Sequence, residues 1–371
     1  MNFDFSDDQK ALRGEARKFL DARGGRGIAR CAMHASDSFD RLELWKEVAS
    51  LGWLGLSIPE RFGGAGLGRT ELCVLAEEIG RVVSPMPFSS TLYFFAEALL
   101  MAGTDEQRAR WLGSIPGGDA IGCFAVSERP GTPTARAITT VYREGKVHGL
   151  KLPVTDGDVA NVAIVAARDG DGISLILVPL TQSAVKRKVV KTIDPSRGHT
   201  SIEFDGAEGE RLGVSGEGWR LADAVLDRAA VYLAFEQIGG ADACLAMATE
   251  YASTRYAFSR PIGSFQAIKH KLADMFVGNQ LARSNAYYGA WALDADGAEL
   301  PRAAAAARIA ATQAYWYAAK ENIQTHGGIG FTWDIDCHFF YRRAKLLAVQ
   351  AGPVGLWRER LVTQLTQNLT K

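Results

Sequence analysis

Arg255-Tyr-Ala-Phe-Ser-Arg-Pro-Ile-Gly-Ser-Phe-Gln266 is the stretch from which the rest of the chain can be read. Arg255 closes a long helical pattern, Phe258 and Pro261 turn the chain, and Gln266 opens the next helix. Further on, Gln324-Thr-His-Gly-Gly-Ile-Gly-Phe331 ends an alanine-rich helical pattern on paired glycines. Taken singly, an Arg, a Gln and a Gly-Gly pair are also what ordinary helix ends use.

Working outward, the helical period runs from Trp219 to Arg255, which at 1.5 Å per residue is roughly 55 Å. It resumes over Gln266 to Gln280 and over Arg302 to Gln324, where Pro301 opens the helix. Long helices of this kind pack as a bundle. Upstream, from about Asp119 to Gly213, the pattern changes to short apolar runs, Ile121–Val126, Val159–Ala167, Ile173–Val178 and Ser201–Phe204, separated by turn clusters such as Asp169-Gly-Asp-Gly172. Before that, Ser6 and Gln9 form a capping-box start, and helical patterns follow around Leu42–Ala49, Glu71–Gly80, Leu92–Ala102 and Glu106–Leu112. The expected architecture is α+β, with an N-terminal all-α domain (1–118), a middle antiparallel β-barrel domain (119–213) and a C-terminal four-helix bundle (214–371).

Composition limits the function. The chain of 371 residues balances 42 basic against 42 acidic residues, which argues against nucleic acid or an anionic membrane as its main partner. Five dispersed cysteines, Cys31, Cys73, Cys123, Cys244 and Cys337, match neither a zinc site nor a disulfide framework, so no metal and a reducing, cytoplasmic setting are expected. The acidic start, Met1-Asn-Phe-Asp-Phe-Ser-Asp-Asp-Gln9, does not read as a signal peptide, and no run has the ~20 apolar residues of a membrane helix.

Arg-x-x-Phe-x-x-Pro-Ile-x-x-Phe-Gln followed by Gln-x-x-Gly-Gly-x-Gly-Phe resembles the cofactor-gripping segments of the acyl-CoA dehydrogenase superfamily. Pro59-Glu-Arg-Phe-Gly-Gly-Ala-Gly-Leu-Gly68, Phe124-Ala-Val-Ser-Glu128 and Tyr341-Arg-Arg-Ala-Lys345 are similar to further family segments, so the resemblance covers essentially the whole chain. It is closest in wording to bacterial members of the steroid and alicyclic-acid type. The resemblance implies FAD, bound by Arg255, Phe258, Gln266, Gln324, Gly327 and Gly328, with Arg255, Gln266, Gln324 and Gly328 reaching its ADP half across a subunit boundary, hence an obligate oligomer, either a homo-oligomer (dimer or tetramer) or a heterotetramer with a second acyl-CoA dehydrogenase chain. It also implies that Ser127 and Thr155 meet the flavin ring. Thr155 lies in Lys151-Leu-Pro-Val-Thr-Asp156, where Pro153 replaces the family's usual tryptophan. After Glu128 the family's Pro-x-Ala-Gly-Ser-Asp becomes Arg129-Pro-Gly-Thr-Pro-Thr134.

The reaction implied is removal of an α-proton and a β-hydride from an acyl-CoA, with electrons leaving to an electron-transfer flavoprotein. It needs a carboxylate base and hydrogen bonds to the thioester oxygen. Counting from Tyr341-Arg-Arg-Ala-Lys345 puts Ala351 where most members carry a glutamate, followed by Gly352 and Pro353. The Ala351 backbone N–H remains available to a thioester carbonyl. Some members carry the base before an arginine on the first long bundle helix, and the matching pair is Asp227-Arg228, with Arg228 toward the CoA arm. Asp227 also fits an ion-paired or solvated helix residue. Glu236 and Glu250 are weaker alternatives on the same helix, while His326 and His338 suit helix capping and face packing. Two other readings stand beside the dehydrogenase: a base-less subunit of a heterotetramer of the kind that acts on steroid side chains, and a flavin monooxygenase on the same fold.

Overall fold

The computed structural model describes residues 5–34 and 40–369; Met1 to Asp4 of the acidic start lie outside the described residues. The helices are α1 (Asp7–Ala22), α2 (Gly27–Met33), α3 (Arg41–Ser50), α4 (Arg69–Arg81), α5 (Glu97–Ala102), α6 (Asp105–Trp111), α7 (Gly218–Thr254), α8 (Gln266–Ala295), α9 (Leu300–His326), α10 (Cys337–Val349) and α11 (Val354–Leu369). The strands are β1 (Gly122–Ala125), β2 (Val141–Arg143), β3 (Lys146–Thr155), β4 (Val162–Asp169), β5 (Gly172–Pro179), β6 (Val185–Val189), β7 (His199–Glu208) and β8 (Glu210–Leu212), and the two-residue pair β9 (Tyr256–Ala257) and β10 (Arg260–Pro261). They divide into two compact units: Met1–Phe39 with Arg69–Pro85 and Ala230–Lys371, and Asp40–Gly68 with Met86–Ala229.

The first unit is helical. The capping box at Ser6 starts α1, as the Ser/Gln spacing requires. Helix packing is set by glycines. A Cβ on Gly239 of α7 would lie 1.8 Å from the Glu77 carbonyl oxygen of α4, and one on Gly80 would lie 1.8 Å from the Glu236 carbonyl oxygen. Backbone therefore meets backbone where α4 crosses α7. Gly240 does the same for the Tyr315 ring of α9, where a Cβ would be 2.4 Å away. The alanine face of α9, including Ala303, Ala304, Ala307, Ala311 and Ala318, is wholly buried, as its small side chains allow close helix approach. Several charges enter this core in pairs. Glu77 takes Arg13 at 3.1 Å and Arg283 at 2.9 Å, and Glu78 takes Arg17 at 2.7 Å and Arg81 at 2.6 Å.

The second unit holds the sheet, in strand order β6-β7-β3-β2-β4-β5-β8 with β1 against β4. Most pairings are antiparallel, while β1 and β2 run parallel to β4. The β4–β5 turn falls at Asp169-Gly-Asp-Gly172, where Gly170 takes φ 63°. Strand β3 escaped the periodicity reading because Gly149 and Pro153 interrupt it. The pairing of β3 with β7 shifts between Lys151 and Val154, and Pro153 falls in that irregularity, where a missing N–H is tolerated. The segment expected as one helix from Leu92 begins as a fully buried π-helical stretch, Ser89–Ala96, before α5. Helix α8 runs on to Ala295, well past the Gln280 at which its periodicity gave out.

Candidate functional site

In the helical unit, β9 and β10 form a hairpin whose two turn residues, Phe258 and Ser259, have φ of 52° and 64°. Such turns normally use Asn or Gly, because a Cβ is strained at positive φ. A bulky residue there is costly, of order 1–3 kcal/mol, and such strain gathers at binding sites. Phe258 is also 90% exposed, so burial within the protomer does not repay it. Its ring meets Phe265 edge-on with centroids 6.1 Å apart, and the Arg260 guanidinium lies 4.0 Å from the Phe265 ring centroid. Arg255 is exposed, and its guanidinium makes no hydrogen bond or ion pair among the described residues. Gln266 is the first residue of α8, whose N-terminus has no side-chain cap.

The second motif comes to the same end of this unit. Tyr251, on the last turn of α7, stacks on His326 at the end of α9, with ring centroids 4.3 Å apart and an interplanar angle of 25°. His326 Nδ1 lies 2.9 Å from the Asn322 carbonyl oxygen, and burial lowers its pKa, so it is a neutral donor to that carbonyl. Gly327 adopts φ 65° and ψ −141°, a conformation open only to glycine. A Cβ on Gly327 or Gly328 would meet no atom within 4 Å, and Gln324 is exposed beside them. The motif pair thus forms an open, cation-bearing face with bare backbone, an uncapped helix N-terminus and a projecting ring. These are the donors that a dinucleotide pyrophosphate and its adenine require, so the residues fit FAD.

In the same unit, Ala351 turns the chain between α10 and α11 with φ 63°, and Gly352 follows with φ 92°. Trp357 Nε1 donates to the Ala351 carbonyl at 3.1 Å. The fully buried Arg308 of α9 donates to the Leu347 carbonyl in the last turn of α10, at 2.6 Å to the carbonyl of Gln350 just after it, and at 2.6 Å to Gln237 Oε1. Burial pushes its pKa down to about 9. Glu236 is buried against Arg343 at 3.4 Å, and Arg343 also donates to the Ser84 carbonyl, so this glutamate serves an ion pair. Glu250 is exposed. His338 is packed among Trp333 and Phe339, and burial, helped by Arg342, lowers its pKa to about 4.

In the sheet unit, Ser127 follows β1, and its carbonyl accepts from the Leu152 amide of β3 at 2.8 Å. Lys151 Nζ reaches the Val126 carbonyl at 3.3 Å and Glu128 at 2.8 Å. Burial lowers Lys151 to about 8, against the pull of Glu128. Glu128 resists its own burial through Lys151, Thr139 and Thr140, and falls to about 2. Thr155 ends β3, half-buried, with its Oγ1 3.4 Å from His199 Nε2. Asp227 is 6% exposed, so it is not a solvated surface charge. Its neighbour Arg228 donates to the Ala224 carbonyl at 3.0 Å and lies 3.7 Å from the buried Glu97. Arg308, Arg197 and His199 escaped the sequence reading because no spacing marks them; the packed core alone gives them partners.

Two family models match the chain: the N-terminal domain of acyl-CoA dehydrogenase over residues 6–119 and the C-terminal domain over 216–365. The acyl-CoA dehydrogenase IpdE2 of Mycobacterium tuberculosis is 32% identical over 91% of both chains. This chain belongs to the acyl-CoA dehydrogenase family. It is therefore an oxidoreductase of the flavoprotein type with FAD as cofactor. Among solved structures, a variant of the Tcur3481-Tcur3483 steroid acyl-CoA dehydrogenase superposes with a TM-score of 0.88 at 28% identity, over 98% of this chain and 99% of that one. The ChsE4-ChsE5 complex from Mycobacterium tuberculosis gives 0.89 at 26%, over 99% of each. The fold is that of the family: N-terminal helices, a middle sheet and C-terminal helices. Among the described residues, no group of His, Cys, Asp or Glu is placed to hold a metal ion, and no helix is long and apolar enough to cross a membrane.

Proposed function

We propose that this acyl-CoA dehydrogenase introduces a Cα–Cβ double bond into an acyl-CoA thioester, with Asp227 as the base, and passes the electrons to an electron-transfer flavoprotein. The observation that carries this reading is the burial of Asp227 on α7, at 6% exposure, in a chain whose Ala351 cannot take a proton. FAD, when bound, would supply the acceptor for the β-hydride. Asp227 takes the α-proton, the Ala351 and Gly352 backbone holds the thioester oxygen, and Arg228 faces the CoA arm. An aspartate is one methylene shorter than glutamate, so the substrate lies nearer α7 than a glutamate would require.

Arg255, Phe258, Gln266, Gln324, Gly327 and Gly328 hold the ADP half of FAD, and Ser127 and Thr155 meet its ring. The span of α7 from Asp227 to Thr254 is about 40 Å. That is longer than an extended dinucleotide, so the base and Arg255 of one chain serve different cofactors. This supports an oligomer, in which the exposed Phe258 is covered by another subunit. The domain limits 1–118, 119–213 and 214–371 are part of the same reading.

A second reading is favoured by the base-less Ala351 and by the complex named among the relatives: a heterotetramer in which the partner chain bears the working base. Anaerobic mixing with a panel of straight-chain and steroid-side-chain acyl-CoA thioesters separates the two. Bleaching of the flavin by the chain alone, abolished in Asp227→Asn with FAD retained, is the expected result. Equal bleaching by that variant removes Asp227 as base. Colour and bleaching only with a second dehydrogenase chain establish the heterotetramer.

A further inference from the structure

Thr155 and His199 are direct partners in the β3–β7 ladder, and His199 is the buried one, at 5% exposure. The imidazole is held at both nitrogens. Nδ1 lies 3.2 Å from the Arg197 carbonyl oxygen and Nε2 lies 3.4 Å from Thr155 Oγ1. A carbonyl oxygen only accepts, so Nδ1 carries the hydrogen. In the neutral ring Nε2 then has a lone pair, and the Thr155 hydroxyl must donate to it. The lone pairs of the threonine oxygen are left for whatever meets its half-exposed side.

The carbonyl that sets this tautomer is fixed in turn. The Arg197 guanidinium grips Asp156 through Nη2 at 2.6 Å and Nε at 3.3 Å, and donates to Ser89 Oγ at 2.8 Å. Ser90 Oγ donates to Asp156 at 2.8 Å, and the Asp156 amide donates to the Gly198 carbonyl at 2.7 Å. Asp156 and Arg197 are both fully buried, so this lock is shielded from water. The charged groups around the ring are Asp156, Arg197 and Asp194, with Arg41 and Asp158 beyond Asp156. Burial outweighs the acidic neighbours and lowers the His199 pKa below its ordinary value, which keeps the ring neutral at neutral pH.

We propose that His199 is a positioning residue for the flavin: it fixes the Thr155 hydroxyl as an acceptor toward the ring, and so favours the reduced cofactor over the oxidised one. Reduced flavin offers an N–H at N5, and oxidised flavin offers only a lone pair there. When His199 is protonated, Nε2–H donates to Thr155, the hydroxyl turns outward as a donor, and the preference reverses. This rests on the reading that Thr155 meets the flavin ring.

The test is the flavin midpoint potential of the FAD-loaded protein, by dye equilibration from pH 5 to 8, with the flavin absorption spectrum alongside. His199→Phe is expected to lower the reduced-over-oxidised preference about tenfold, about 30 mV for a two-electron couple. Thr155→Val is expected to give the same shift, and the double variant no further one. In the parent, the potential gains a break below pH 6.5 from His199. His199→Gln, whose amide oxygen accepts from Thr155 without titrating, is expected to keep the neutral-pH potential and lose the break. It also serves if the Phe variant does not fold. If Thr155→Val leaves potential and spectrum unchanged, the flavin reading of Thr155 fails and the proposal with it. If Thr155→Val shifts both and neither His199 variant changes potential or break, the relay alone is overturned.

Discussion

Replacing Arg308 by Met tests how the turn that carries Ala351 is held. The guanidinium makes three hydrogen bonds, to Gln237 Oε1 and to the carbonyls of Leu347 and Gln350. Bonds to a charged group contribute about 1.5–3 kcal/mol each, so the gross loss is about 5–9 kcal/mol. Against this stands the cost of burying the cation. Its pKa falls from the ordinary arginine value to about 9, equivalent to about 5 kcal/mol. Met fills the same slot without that cost, which leaves a net destabilisation of about 0–4 kcal/mol. The freed carbonyls, of Leu347 in the last turn of α10 and of Gln350 just after it, lead into Ala351 and Gly352, so the turn should loosen as stability falls. The assay is thermal melting at saturating FAD together with acyl-CoA titration. A melting point lowered by a few degrees, from the middle of that range, and a raised KM with a smaller change in kcat are expected. If the variant melts within about a degree of the parent and binds acyl-CoA unchanged, the buried arginine does not hold the turn, and the reasoning fails.

Gly239→Ala should cost about 3 kcal/mol or more in urea unfolding, because its Cβ meets the Glu77 backbone at 1.8 Å. Gly278→Ala, on α8 with open space at its Cβ, should be neutral or gain up to about 1 kcal/mol; equal losses at both sites would refute the crossing argument. Glu128 has a folded pKa of about 2 against an ordinary 4.5, so its contribution is complete above pH 4.5 and is lost as pH falls toward 2. Solvent screening keeps it below about 3 kcal/mol, and Glu128→Gln should flatten the acid limb of the stability curve over that window; an unchanged slope would count against the Lys151 pair. Arg255→Ala should weaken FAD retention at least about tenfold on gel filtration while leaving the monomer's helical content intact by circular dichroism. Full retention of colour would remove Arg255 from the cofactor face.

The sequence alone determined the order of helical and strand regions and the two cofactor motifs. Those signals are local: a capping box at Ser6, Pro301 at a helix start, glycines at 327 and 328, and the short apolar runs that mark β4 and β5. It also showed that Ala351 cannot act as a base, since that depends on side-chain chemistry and not on position. It left Asp227 open between a solvated or ion-paired helix residue and a site residue, and burial removed the solvated one alone. Strand β3 was hidden because pairing with β7, not propensity, holds Gly149 and Pro153 extended. The strain at Phe258 was equally hidden, because a backbone angle is fixed by the closure of β9 on β10. Arg308, Arg197 and His199 acquired their roles only in the folded chain. Their partners lie far away in sequence, and a buried polar group has no function to read until the packing shows which donor faces which acceptor.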